Sequence, residues 1–248
     1  MIEVKREPLN FYIERIQNGE RTVFPRWGDV EWFLALRKFG KGRFFDILEK
    51  KGRNSSGHRF HPFLTEKLSN VLVSKKDYLW GMQPKSVREM GSEIERFFVQ
   101  HEIKHEWYWS DVFHRANCAG TLFPMIQMCR NMKMLYVGPV HIKKIHKNIF
   151  GKAIAKFIEV PLPDCCVKED IIYQALSKAI QEEKPDLIGF SSAMLTNILI
   201  DRLYDSTECH MLDFGSVWDI YGGVKSRGMF RKGNNWPQLI QQNLGLKK

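Results

Sequence analysis

Apolar and polar positions along the chain follow two periods. In "LNFYIERIQ" the apolar residues recur every three to four positions, the spacing of one helix face, and "NGE" closes the run as a turn. "RTVFPRW" then predicts a short strand, with Pro25 placing it at a sheet edge or a strand end. "DVEWFLALRKFG" returns to helical spacing, with Asp29 as N-cap and Gly40 as stop. "GRNSSGHRF" predicts a mobile loop, and "PFLTEKLSNVLVS" a helix opened by Pro62. "DYLWGMQP" and "EWYWSDVF" predict strands, separated by the helix "SVREMGSEIERFFVQHEI". "NCAGTLFPMIQMCRNM" predicts one helix bent at Pro124.

From there the rhythm is regular. The strands "MKMLYVGP", "KFIEVPLP", "PDLIGFSS" and "CHMLDFGS" alternate with the helical runs "HIKKIHKNIFG", "KEDIIYQALSKAIQEEK" and "AMLTNILIDRLYDS". Short apolar strands between helices specify βαβ units, hence a single α/β domain whose mostly parallel sheet carries helices on both faces. Ligands of such sheets bind at the carboxyl ends of the strands. Gly138-Pro139, Ser191-Ser192 and the run Asp213 to Ser216 fall at such ends, and the "RWGDVE" turn is another strand-to-helix junction.

Composition narrows the class. With 248 residues and 44% hydrophobic content the chain can bury a core, and its apolar runs are far too short to span a bilayer. The N-terminal "MIEVKREPLNFY" lacks the apolar segment of a signal peptide. Five cysteines form no C-x-x-C pair, which predicts reduced thiols, a cytoplasmic setting and no zinc site. No P-loop and no G-x-G-x-x-G pattern occurs, which disfavours a P-loop ATPase or a standard NAD enzyme. The net charge is +10, concentrated in three stretches. Residues 37–61 hold eight Lys/Arg against two acids, residues 141–156 five Lys and no acid, and residues 222–248 six bases and no acid. Basic runs interleaved with Phe, Trp and His suit a polyanion, though they equally serve as solvated faces.

The Asp-x-Glu of "FPRWGDVEW" admits two readings. Either Asp29 caps a helix and Glu31 decorates its first turn, or the pair holds a cation. Arg26-Trp27-Gly28-Asp29-Val30-Glu31 after an apolar strand, then "LYVGP", "LIGFSSAMLTNILIDRL" and "MLDFGSVWD" in that order, resembles the GT-D-fold glycosyltransferases, with their Rossmann-like sheet and Asp-x-Glu metal motif. Val30 replaces the family's second glycine, and Ser191-Ser192 its usual Gly-Pro. The resemblance spans roughly residues 10–221, giving a transferase domain at 1–221 and a basic C-terminal tail at 222–248.

The resemblance implies a metal-dependent transfer of sugar from a nucleotide-sugar donor to a hydroxyl acceptor, with Mn2+ or Mg2+ on Asp29 and Glu31. A metal role needs Asp29 at the turn, since two acids two residues apart diverge inside a helix. Arg26 and Arg115 would offset phosphate charge, with a surface ion pair as the alternative for Arg115. Gly28 and Gly138 would admit backbone to the donor. Ser191 and Ser192 would either bond the diphosphate or cap the next helix. Asp213 would hold a ribose, act as base or cap a turn; Asp111 and Asp219 are further base candidates. His58, His61, His141 and His146 are expected on the basic surface.

Three acceptor readings stay open: a hydroxymethylated base in double-stranded DNA, a glycan or glycoprotein, or no reaction at all, with the chain a nucleic-acid-binding protein. In the first, Lys50, Lys51, Arg53, Arg59, Arg227, Arg231 and Lys232 would clamp duplex phosphates. Such enzymes are used by viruses of bacteria, which would place this one in the host cytoplasm.

Overall fold

The computed structural model describes residues 2–54, 57–231 (Arg231 by its backbone alone) and 233–246. Nine strands occur among these residues: β1 (Val4–Lys5), β2 (Val23–Phe24), β3 (Arg26–Trp27), β4 (Trp80–Met82), β5 (Trp107–Trp109), β6 (Met134–Gly138), β7 (Ile154–Glu159), β8 (Leu187–Phe190) and β9 (His210–Asp213). They form two sheets rather than the single sheet expected, in the orders β1-β5-β4-β3 and β2-β9-β8-β6-β7, and every strand pair is parallel.

The two sheets meet at Pro25. The run from Val23 to Trp27 is extended throughout, but Pro25 has no N–H, so pairing with β9 stops at Phe24 and pairing with β4 begins at Arg26. The carbonyls of Val23 and Pro25 accept from Leu79 and Gly81 at 2.8 and 2.9 Å, stitching the seam.

Helices surround the sheets: α1 (Leu9–Gln17), α2 (Asp29–Ala35), α3 (Arg43–Lys51), α4 (Phe63–Leu72), α5 (Pro84–Gln100), α6 (Val112–Ala119), α7 (Phe123–Arg130), α8 (Val140–Phe150), α9 (Glu169–Glu183), α10 (Leu195–Leu203), α11 (Gly228–Arg231) and α12 (Trp236–Leu244). Side chains alternate across the larger sheet. Leu135, Val137, Ile188 and Met211 enter a core with α2, α4, α5, α9 and α10. Met134, Tyr136, Leu187 and Leu212 enter a second core with α1, α6, α7 and α8. The Trp-rich opening is structural: Trp27 and Trp32 are fully buried, their ring centroids 5.2 Å apart.

Three local expectations are corrected. Gly28, not Asp29, is the N-cap of α2, and Glu31 supplies half a capping box by accepting from Gly28 N–H at 3.1 Å. The helix expected to bend at Pro124 is two helices, because Gly120 ends α6 at φ +72° and Pro124 lies in the first turn of α7. The mobile loop expected at 52–60 is paired at its ends, where Arg53 and Arg59 form an antiparallel bridge and Asn54 N–H donates to His58 O at 2.9 Å, while Ser55 and Ser56 lie outside the described residues. Within the expected tail, α12 is docked on α6 and the loop after it. Asn243, fully buried in α12, accepts from Leu122 N–H at 2.9 Å and donates to Asn117 O at 2.9 Å.

Candidate functional site

A cleft of about 160 Å³, open to solvent, lies at the carboxyl ends of the strands where the two sheets meet. Its walls include Arg26, Gly28, Asp29 and Glu31 from the β3–α2 turn, Ser191 and Ala193 after β8, Asp213, Gly215, Ser216 and Asp219 after β9, Pro139 and His141 after β6, and Arg227. Five chain-distant segments thus converge on one rim, as the topology requires.

The acids form one electrostatic group. Burial pushes the Glu31 carboxyl up to about 7, with Asp29 and Asp213 adding repulsion and Arg227 opposing it. Burial likewise raises Asp213 to about 6, opposed by Arg26, by the Gly215 N–H bond at 2.8 Å and by Arg227. Asp29 occupies the first helical position, its side chain 38% exposed and 4.0 Å from Lys85 Nζ. Placing Asp29 and Glu31 at the first and third helical positions departs from the turn geometry expected, yet both line the cleft because the helix starts at its edge.

Arg26 is a pillar of the floor. At 7% exposure it donates from Nε to Ser110 O at 2.6 Å and faces Asp111 at 3.3 Å. A Cβ at Gly215, which has φ +54°, would collide with its Nη1. Arg227 Nε donates to Ser216 Oγ at 2.8 Å. Arginine has only donors, so Ser216 has its own proton free for His114 Nε2 at 3.0 Å. That His114 is neutral follows from its burial, with Arg26 and Arg227 adding to the downward push.

Other expected residues lie elsewhere. Ser191 lines the cleft and its Oγ shares a hydrogen bond with Tyr136 OH at 2.7 Å, but Ser192 is fully buried, bonded through Oγ to Thr196 Oγ1 at 2.9 Å, and neither lines the cleft nor caps α10. Gly138 sits behind the rim, where a Cβ would stand 3.0 Å from the Tyr136 ring. Arg115 lies outside the cleft over the Trp109 ring, 4.6 Å from its centroid. Lys50, Lys51, Arg53 and Arg59 are exposed and do not line the cleft; Arg59 faces Asp164 at 3.7 Å. The backbone of Arg231 ends α11, while its side chain and Lys232 lie outside the described residues.

Two histidines expected on the basic surface are site residues instead. His58 is buried and lines the cleft. His141 Nε2 lies 2.8 Å from Asp219 Oδ1, and both line the cleft. The order "PVH" immediately after the glycine that ends β6 was the available sequence signal for His141; nothing in the sequence pairs it with Asp219, 78 residues away.

The fold is a parallel α/β architecture with its cleft at the carboxyl ends of the strands. Among solved structures, the chain is similar to that of the highly conserved domain of unknown function 1792, described as having a distinct glycosyltransferase fold (TM-score 0.60, 14% identity, over 89% of this chain and 83% of that one). It is also similar to a glycosyltransferase of the same domain from Streptococcus sanguinis (TM-score 0.61, 13% identity, 90% and 86% covered). No family model matches the chain, and no curated protein matches its sequence. At these identities the likeness is one of fold.

Proposed function

We propose that this chain is a glycosyltransferase that moves a sugar from a nucleotide-sugar donor to a hydroxyl acceptor. One observation carries the reading: on a glycosyltransferase fold, the expected Asp29 and Glu31 meet Asp213 and Arg227 in a single open cleft.

Mn2+ or Mg2+ fits the donor set. Burial disfavours the ionised forms of Glu31 and Asp213, a cation in the cleft would favour them, and carboxylate oxygens are the hard ligands such ions take. Glu31 Oε2 is already engaged by Gly28, and no cluster of three or more His, Cys, Asp or Glu encloses one point among the described residues. Asp29 and Glu31 would therefore hold the ion together with donor phosphates and water. When bound, such an ion neutralises charge developing on the leaving diphosphate. The protein's own part is to place Arg227 against that diphosphate, to fix the rim through Arg26 and to admit the donor past Gly28.

The acceptor is proposed from charge. Arg53 and Arg59 flank Asn54 and His58, which line the cleft, so cations stand beside its mouth. That arrangement favours a polyanionic acceptor, with DNA carrying hydroxymethylated bases ahead of a neutral glycan.

The test pairs binding with transfer. UDP-, GDP- and dTDP-sugars with Mn2+ should raise the melting temperature of the native chain. Asp29→Ala and Glu31→Ala should lower transfer by at least about 100-fold while keeping the circular dichroism spectrum. Labelled sugar should pass to hydroxymethylated DNA and not to unmodified DNA. Label on a glycan alone would overturn the DNA acceptor, and no donor binding together with tight DNA binding would favour a non-catalytic nucleic-acid-binding protein.

A further inference from the structure

Glycosyl transfer needs a group that receives the acceptor's proton if the acceptor oxygen attacks the sugar directly. Three acids near the rim compete for that task by sequence, and the structure separates them. Asp111 accepts from Arg26 Nη2 at 3.3 Å and from Gln83 Nε2 at 3.2 Å, so its Oδ1 is spent on the floor of the site. Asp213 holds the Gly215 N–H and lies in the acid group with Glu31, on the side where a diphosphate would sit. Asp219 alone faces a histidine.

The His141–Asp219 pair has a defined hydrogen-bonding sense. A carboxylate only accepts, so facing one His141 Nε2 is the donor, and in the neutral imidazole that tautomer leaves the lone pair on Nδ1. Asp219 is nearly buried, with 10% of its side chain exposed, and His141 retains 23%, so the base keeps access to the cleft while its partner is fixed. The pair also faces the acids across the cleft: Asp29 and Glu31 follow β3 of the smaller sheet, His141 follows β6 of the larger one, and all of them line the same cleft with Asp219.

We propose that His141 is the catalytic base of this site and that Asp219 is its positioning residue. The inference rests on the glycosyltransferase reading and deepens it. The acceptor hydroxyl gives its proton to His141 Nδ1 as its oxygen forms a bond to the anomeric carbon. The bond from that carbon to the diphosphate oxygen breaks, and its electron pair leaves on the nucleoside diphosphate. Direct displacement of this kind inverts the anomeric configuration. Asp219 holds the tautomer and stabilises the imidazolium that forms.

Water serves as the probe acceptor, so the experiment does not wait on the natural one. UDP-glucose and GDP-mannose are offered to the full chain with Mn2+, and release of nucleoside diphosphate is followed beside donor affinity by calorimetry. His141→Gln keeps an amide N–H for Asp219 but has no basic nitrogen, which separates catalysis from pinning of α8. It should lose about 100-fold or more in turnover with donor affinity within about twofold of wild type. His141→Gly should regain turnover when imidazole is added, and Asp219→Asn should fall about tenfold or more with donor affinity unchanged. Proton NMR of freshly released sugar should show the inverted anomer. Full turnover in His141→Gln, or release of the retained anomer, overturns the inference while leaving the transferase reading standing. A wild-type chain that neither binds nor cleaves any donor overturns both.

Discussion

Glu31 shows how one side chain reports on its site. It bonds the Gly28 N–H, and burial holds its folded-state value near 7, above the usual carboxylate range. Between about pH 4.5 and 7 the folded chain therefore binds more protons at this group than the unfolded chain does, so stability contributed there falls as pH rises. In chelator, Glu31→Gln should stabilise the protein by roughly 1–3 kcal/mol at pH 8, and the gain should vanish near pH 4.5, read from urea midpoints. A pH-independent difference would mean that the carboxylate is relaxed. A helix start carrying two acids was legible in nine residues because both are local features, but the cap was read as Asp29 where Gly28 takes it. The carboxyl environment of Glu31 was not legible, since it depends first on burial and then on charges that include Asp213, more than 180 residues away. Ser192 was misplaced for a related reason: adjacent rim serines point to opposite sides, and only the packing of Thr196 decides which one faces the cleft.

At the scale of elements, the strands β6 to β9 and their helices were legible because strict alternation leaves each run a single reading. The strand β1, with two residues, and the short helix α11 are below the length at which a period exists. The helix α3 was hidden under its charge: Phe45 and Leu48 are its buried face, spaced three apart in a run rich in Lys and Arg. The helix α12 read as tail because its key contact is polar. Asn243 bonds Leu122 N–H and both oxygens of Asn117, so Asn243→Ala leaves buried groups unpaired. It should destabilise the chain by about 2–4 kcal/mol, seen as a lowered denaturant midpoint. A change under about 0.5 kcal/mol would show that α12 is dispensable to the fold.

For the molecule as a whole, charge and topology act together. The net charge of +10 gives a long-range pull on polyanions, and the exposed Lys50, Lys51, Arg53 and Arg59 stand on one connected stretch. If they meet three or four phosphates, duplex affinity should fall with salt at a log–log slope of about −3, and replacing all four by Gln should flatten it toward zero. An unchanged slope would move the polyanion contact elsewhere. The fold class was legible at this scale, and the division into two sheets was not, because Pro25 reads as an edge signal without saying that the edge is shared. That shared edge has a mechanical meaning. Asp29 and Glu31 are mounted on one plate, and Asp213, Ser191 and His141 on the other, joined along a single five-residue rail. Trp27, Trp80 and Trp107 of one plate and Leu135, Ile188 and Met211 of the other pack into one core, so the gap is set by the fold and the cleft serves as a fixed gauge for the length of molecule it accepts.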